Sequence, residues 1–342
     1  MKRKTHEKKN TKKIGTVITM VMMTLLLMAC GSKGNENITA ESKTQGEEVQ
    51  TETTNNEKPY IIGFSNMNDI YPYCIKFRDY LVEFAEAEGM KVLIADGAGD
   101  ANTQNGQIDN FILQGADIVT AITIDLDASV PAVNAAENAG LPFISYLTNV
   151  RDNAGYDGYI YIGSENYEAG LLQGQYLAEV LPENAKILYQ TGNPNDSQYN
   201  ARKQGLLDGL KDRTDVEIVA EVATMNQKDQ GITVMEDWMQ VYDKIDCVVA
   251  QNDDSILGAI EAMKAANRLE GVITVGLDGS DDALASIKAG ELTMSVLQDA
   301  KGQAEAAVEI FKKIRDGVDP ATIEDVNVPF QTITIDNVND FE

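Results

Sequence analysis

Residues 246–279 read DCVVAQNDDSILGAIEAMKAANRLEGVITVGLDG. A β-branched run, DCVVAQN (246–252), gives way to a stretch of helical spacing reaching Ala266, and a second β-branched run, VITVGLDG (272–279), follows. Strand, amphipathic helix and strand in that order form a parallel βαβ unit, because the returning strand needs a crossover. The same rhythm extends backwards through KILYQTG (186–192) and VEIVAEVAT (216–224). A first group precedes it: YIIGFS (60–65), KVLIAD (91–96), DIVTAI (117–122) and LPFISY (141–146), with helices such as Lys76–Glu88 and Ser129–Ala139 between them. YIYIGS (159–164) begins the crossing from one group to the other. Two similar α/β halves with parallel sheets are therefore expected.

Open parallel sheets bind ligands beyond the carboxyl ends of their strands. The positions just after the strands hold Asn66 and Asp69, Thr148 and Asn149, Asn252 and Asp253, and Asp278. These groups make hydrogen bonds, and none has an evident acid–base partner of shifted basicity. The set suits a neutral polar ligand better than it suits chemistry.

Composition narrows the function further. The chain has 342 residues, with 28 Lys+Arg against 54 Asp+Glu. Of the formal charge of −26, the first 29 residues contribute seven Lys/Arg and one Glu, so the remainder stands near −32. Such a surface repels phosphate backbones, and no nucleic-acid partner is expected. The one histidine is His6. With the N-terminus removed, no imidazole is left for a Ser-His-Asp triad or a common catalytic zinc site. Cys30, Cys74 and Cys247 show no C-x-x-C spacing, and Asp125-Leu-Asp127-Ala-Ser129 lacks the Gly and Glu of a calcium loop. No metal or cofactor is expected. Gly97-Ala-Gly99 reads as a plain turn, because Asn102 stands where a dinucleotide loop needs its third glycine.

The N-terminus reads as an address. MKRKTHEKKNTKK (1–13) is basic, and IGTVITMVMMTLLLMA (14–29) is an apolar stretch of 16 residues, short for a membrane span. Residues 31–57 contain no aromatic and three aliphatic residues, too few to offset the entropy of ordering. A signal peptide over 1–29 and a disordered tether over 30–58 are expected, with the folded part beginning near Pro59. Cys74 and Cys247 sit among apolar or aromatic neighbours and read as separate buried thiols rather than a disulfide.

Two resemblances join these readings. Leu27-Met-Ala-Cys30 resembles the lipobox of bacterial lipoproteins, which implies an acyl (palmitate) anchor on Cys30. From about 59 to 336 the chain resembles the ribose/galactose type of periplasmic binding protein, the type I solute receptors of sugar ABC transporters. The matching stretches are VVAQND (248–253) with LGAIEA (257–262), VGLDG (275–279), LTMSVLQ (292–298), IIGFSNMNDIYPY (61–73) and NARKQG (200–205). The DNA-binding headpiece of repressor relatives has no counterpart.

The resemblance implies two Rossmann-like lobes joined by three crossover hinges, near 162–164, 295–298 and 328–331. The N-terminal lobe would comprise 59–163 plus 299–327, and the C-terminal lobe 164–298 plus 328–342. It further implies a monomeric, extracytoplasmic, non-enzymatic receptor that closes around one monosaccharide or related polyol and delivers it to an ABC permease. The pocket residues it implies are Asn66, Asp69, Tyr71, Tyr73, Arg202, Asn252, Asp278 and Gln298, with Thr148, Asn226 and Asp253 at neighbouring loop positions. Carboxylates, amides and a guanidinium satisfy vicinal hydroxyls in pairs, while flat rings cover a sugar's C–H faces.

The chain departs from the pattern at two places: Leu147-Thr148 replaces an Asp-Arg pair, and Asn226 stands where an aromatic is usual. A nucleoside or furanosyl signal therefore remains an alternative ligand, and a chemoreceptor or sensor kinase an alternative partner. Plainer roles stand beside the pocket roles. Asp278 or Asn252-Asp253-Asp254 could cap helices, Arg202 could be a surface cation, and Tyr71 and Tyr73 could staple a helix start. Trp238, at helical spacing between Val234 and Val241, reads as core packing.

Overall fold

The computed structural model describes residues 58–194 and 197–341. The expected signal peptide, the tether up to residue 57 and Cys30 lie outside them. The first sheet is built from β1 (Ile61–Asn66), β2 (Lys91–Asp96), β3 (Ile118–Ile122), β4 (Phe143–Tyr146), β5 (Tyr159–Gly163) and β11 (Val326–Asn327), in the spatial order β11-β5-β4-β3-β1-β2. The second contains β6 (Lys186–Thr191), β7 (Glu217–Ala223), β8 (Cys247–Ala250), β9 (Ile273–Asp278), β10 (Met294–Leu297) and β12 (Gln331–Thr334), ordered β12-β10-β9-β8-β6-β7. All pairings are parallel except β12 with β10, which run antiparallel at the sheet edge. β1, β3, β4 and β8 are buried along their whole length, which is why they read as mostly apolar runs; the edge strands β2 and β7 are partly exposed.

Helices cover both faces of each sheet. On the first lie α1 (Pro72–Ala87), α2 (Ala101–Leu113), α3 (Val130–Ala139) and α9 (Ala300–Arg315); on the second, α4 (Asn166–Val180), α5 (Ser197–Gly209), α6 (Lys228–Val241), α7 (Asp253–Ala265) and α8 (Asp281–Lys288). α1 starts four residues earlier than the spacing predicts, because Pro72 suits the first helical turn, where its missing N–H is not needed. Trp238 is buried beside Leu188, Met235 and Met263 in the core of the second sheet. Cys74 and Cys247 are free buried thiols in separate cores.

The chain passes between the sheets three times: from β5 to α4 through Ser164 and Glu165, from β10 to α9 through Gln298 and Asp299, and from β11 to β12 through 328–330. α4 packs on α5, and α9 packs back on α1. The result is two α/β lobes whose strand carboxyl ends face a common cleft.

Candidate functional site

A cavity of about 280 Å³ lies in that cleft. One wall comes from the loops after β1, β3 and β4 and includes Tyr71, Tyr73, Asp125, Asp127, Leu147, Thr148 and Arg151. The opposite wall holds Gln198 and Arg202 of α5, Asn226 and Asn252 from the loops after β7 and β8, Asp254 in the first turn of α7, Asp278 and Gln298.

Asp278 ends β9 with φ 130°, a backbone setting that costs a non-glycine residue roughly 1–3 kcal/mol and persists where its surroundings enforce it. Ser280, not Asp278, caps α8 by accepting the Ala283 N–H, so the Asp278 carboxylate is left to the cavity. Burial first, then the neighbouring Asp253, pushes the Asp278 carboxyl well above the usual carboxylate range, with Arg202 opposing. Asp253 itself is pushed up to about 6, chiefly by burial. Burial likewise raises Asp254, against the pull of Lys228. The sequence carries no sign of these shifts, since burial and the meeting of β9 with α7 create them.

Arg202 is 5% exposed, and its fork is held from behind. Nη1 donates to the Gln251 carbonyl at 2.8 Å and Nε to Asn166 Oδ1 at 2.9 Å. Gln251 is fixed in turn, donating to Tyr189 Oη at 2.7 Å and accepting the Gly192 N–H at 2.9 Å. Close packing of α4 on α5 sets the height of Arg202. A Cβ at Gly170 would lie 1.8 Å from the Arg202 carbonyl, and one at Gly174 2.4 Å from that of Leu206. Gly205 and Gly209 on α5 approach α4 just as closely.

Asn252 does two jobs. Its Oδ1 caps α7 by accepting the Ser255 N–H at 3.1 Å, and its Nδ2 donates to the Asn226 carbonyl at 3.3 Å. Asn226 and the preceding Met225 adopt left-handed φ values of 59° and 54°, and Asn226 Oδ1 is buried with no partner among the described residues. Tyr73 stacks on Phe77 at 6.3 Å, and its hydroxyl, its pKa raised by burial, donates to Gln303 Oε1 at 2.6 Å. Thr148 accepts a hydrogen bond from Gln198 Nε2 across the cleft at 3.2 Å.

Eight of the expected site residues thus meet on the cavity wall: Tyr71, Tyr73, Thr148, Arg202, Asn226, Asn252, Asp278 and Gln298. Asn66, Asp69 and Asp253 stand off it. Asn66, the last residue of β1, is buried, donating to Asp69 Oδ1 at 2.6 Å and accepting the Met67 N–H; Asp69 pairs with Arg78 at 2.8 Å. Asp253 turns inward to the Ser280 N–H and the Ser295 hydroxyl, and its neighbour Asp254 takes the wall position. Adjacent side chains on a helix point about 100° apart, and at the start of α7 that turn sends Asp253 into the corner and Asp254 to the cavity.

Sequence reasoning missed Asp127, Arg151, Asp254 and Gln198. The strand-end rule applied to β3 would have found Asp127, which Arg151 grips with two hydrogen bonds. Gln198 carries no such signal, because its place depends on how the lobes meet.

The chain's relatives agree with this architecture. The sequence profile described as periplasmic binding protein domain matches residues 62–318. A Rhizobium meliloti protein provisionally named rhizopine-binding is 31% identical over 273 residues, covering 78% of this chain and 87% of that one. A ribose import binding protein of Bacillus subtilis is 28% identical over 282 residues, covering 82% and 90%. Among solved structures, an ABC transporter solute binding protein from Bacillus halodurans with bound myo-inositol superposes with a TM-score of 0.76 at 29% identity, over 84% of this chain and 99% of that one. With the profile spanning most of the described fold and two lobes closing on a polar cavity, this chain belongs to the periplasmic binding protein family.

Proposed function

We propose that this protein is the solute receptor of an ABC importer and captures a monosaccharide or related polyol between its lobes. The observation that carries the reading is the cavity itself: small, and lined from both lobes by carboxylates, amides, one buried guanidinium and tyrosine rings. Acceptors and donors in that mixture match a ring of hydroxyls, each of which both gives and takes a hydrogen bond. An unmet buried polar group costs about 1–3 kcal/mol, which lets such a wall reject epimers. The names of the relatives support the class, since they include ribose and myo-inositol binders. Asn252, Asp254, Asp278, Arg202 and Gln298 would grip hydroxyls, and Tyr71 and Tyr73 would flank the ring. Asn66, Asp69 and Asp253 would act from behind, by holding the loops.

In this reading the two lobes comprise 59–163 with 299–327 and 164–298 with 328–342, and the closed form is what the permease reads. A ligand touching both lobes stabilises closure by the difference in its affinity for the two forms. We also propose that Cys30 carries the lipid that holds the receptor on the outer side of the membrane. Cys30→Ala should then move the protein from the membrane fraction to the medium, and unchanged attachment would remove the anchor.

A thermal-shift panel of pentoses, hexoses, inositols, polyols and nucleosides tests the main reading. Ligand at 100 times its Kd adds about 2.7 kcal/mol, or roughly 5–11 °C for a chain of this size. A selective shift by one sugar or polyol supports the proposal. Silence across those classes, or a response to a nucleoside alone, overturns it.

A further inference from the structure

The three crossings between the lobes are bound to one another, and to the cavity wall, by a single buried chain of hydrogen bonds. The Tyr73 hydroxyl, at the start of α1, donates to Gln303 Oε1 at 2.6 Å. Gln303 Nε2 donates to Ser164 Oγ at 2.9 Å, and Ser164 Oγ donates to the Val328 carbonyl at 2.6 Å. Ser164 opens the first crossing, Gln303 lies in the first turns of α9 just after the second, and Val328 opens the third. The Val328 N–H also bonds the Gly163 carbonyl at 2.8 Å, so the first and third crossings lie side by side.

Gln303 is fully buried and Ser164 nearly so. Water cannot replace a lost partner there, so each break leaves an unmet polar group. The lobes already touch across the cleft, Gln198 on Thr148 and Lys76 on Asp281 at 2.7 Å, which identifies this arrangement as a closed one. Rotating one lobe away changes backbone angles at Ser164, at 298–299 and at 328–330. The chain of bonds joins the first and third of these directly and reaches the second through Gln303, on the helix that starts from it.

We infer that Gln303 is a positioning residue that couples the Tyr73 face of the cavity to the hinge, so that one hydrogen-bonded chain sets the closed form of all three crossings. This inference rests on the cleft being the solute site. A ligand seated against Tyr73 would hold its hydroxyl on Gln303 and thereby favour the closed crossings. By linkage, a closed hinge would hold the Tyr73 wall ready for ligand.

Two variants of the full protein test this. Gln303→Met keeps length and apolar bulk without hydrogen bonds; Tyr73→Phe keeps the ring on Phe77 and loses the hydroxyl. Spin labels on Leu113→Cys and Val241→Cys, exposed sites on opposite lobes, report the lobe separation, and Cys74 and Cys247 are buried out of reach. Without ligand, each variant should lower the ratio of closed to open protein about three- to tenfold, the effect of one net hydrogen bond. The double variant should go no further than the larger single one, because the residues act in series. With myo-inositol and D-ribose as probes, affinity for whichever binds should fall by the same factor.

Variants that lower the melting temperature while leaving the ligand-free ratio unchanged would make Gln303 an ordinary core residue and overturn the coupling. So would single effects that add. If the ratio shifts as expected but neither the two probes nor any member of the thermal panel binds the parent protein, the solute reading fails and the hinge chain stands.

Discussion

The Asp253 carboxylate accepts a hydrogen bond from the Ser295 hydroxyl at 2.7 Å, joining the N-terminus of α7 to the middle of β10 behind the cavity wall. Its other oxygen accepts the Ser280 N–H at 2.8 Å. Asp278 lies against the same corner on its cavity side, so two neighbouring acids oppose each other's charge.

Asp253, at about 6, and Asp278, higher than an ordinary carboxyl, hold protons in the folded protein that they release nearer 3.8 when unfolded. Between those values the folded state binds more protons, so stability falls as pH rises. The contribution is complete below about pH 4 and is lost as pH climbs through about 6 for Asp253 and beyond it for Asp278. Ligand-free protein should therefore melt a few degrees higher at pH 5 than at pH 7, and Asp278→Asn should flatten that slope. General acidic repulsion is common to both proteins and cancels in the comparison. Equal slopes would mean that the two acids do not share the site.

Gly276 lies under this corner. A Cβ there would sit 2.4 Å from Asp253 Oδ1 and 2.9 Å from Ile256 Cγ2. Gly276→Ala should push the carboxylate off its two donors, costing about 1–3 kcal/mol in a urea titration. Ligand affinity should fall with it, because Asn252 and Asp254 move with Asp253. Calorimetry showing parent-like binding in a destabilised protein would separate the corner from the wall.

Arg202 depends on its fork. Arg202→Lys keeps the charge but cannot serve Gln251 and Asn166 in the same plane, so affinity should drop about tenfold or more. Gly170→Ala, which cannot fit against the Arg202 carbonyl, should lower both stability and affinity although residue 170 lies outside the cavity. Isothermal titration with denaturant melts decides both; an Arg202→Lys affinity within twofold of the parent would count against a direct grip on ligand.

The two contacts across the cleft should differ in kind. Lys76–Asp281 is solvent-exposed, and such pairs contribute about 0–1 kcal/mol, so Lys76→Ala should change affinity less than about fivefold, with the change fading at high salt. Gln198→Ala removes a partly buried neutral hydrogen bond inside the cleft and should cost about two- to tenfold regardless of salt. Binding measured at two ionic strengths separates them, and a salt-sensitive Gln198 effect would show that charge, not this bond, governs closure.

The strand runs, the βαβ rhythm and the two-lobed fold were legible in the chain because parallel strands buried on both faces are predominantly apolar, with polar ligand-facing groups gathered past their carboxyl ends. That local rule marked Asn252, Asp278 and Thr148, which line the wall, and applied to β3 it would have added Asp127, whereas Gln298 came from the family resemblance. It could not separate Asp253 from Asp254, since the direction of a side chain at a helix start depends on what the helix packs against. Nor did it mark the small residues of α4 and α5 that let the two helices touch and set Arg202 in place. Composition, strand order and the polar strand ends are properties of sequence alone. The raised acids, the glycine-spaced helix pair, Gln198 on Thr148 and the chain from Tyr73 through Gln303 to Val328 arise only in the tertiary structure, because each joins residues far apart in the chain whose energies depend on burial and mutual distance.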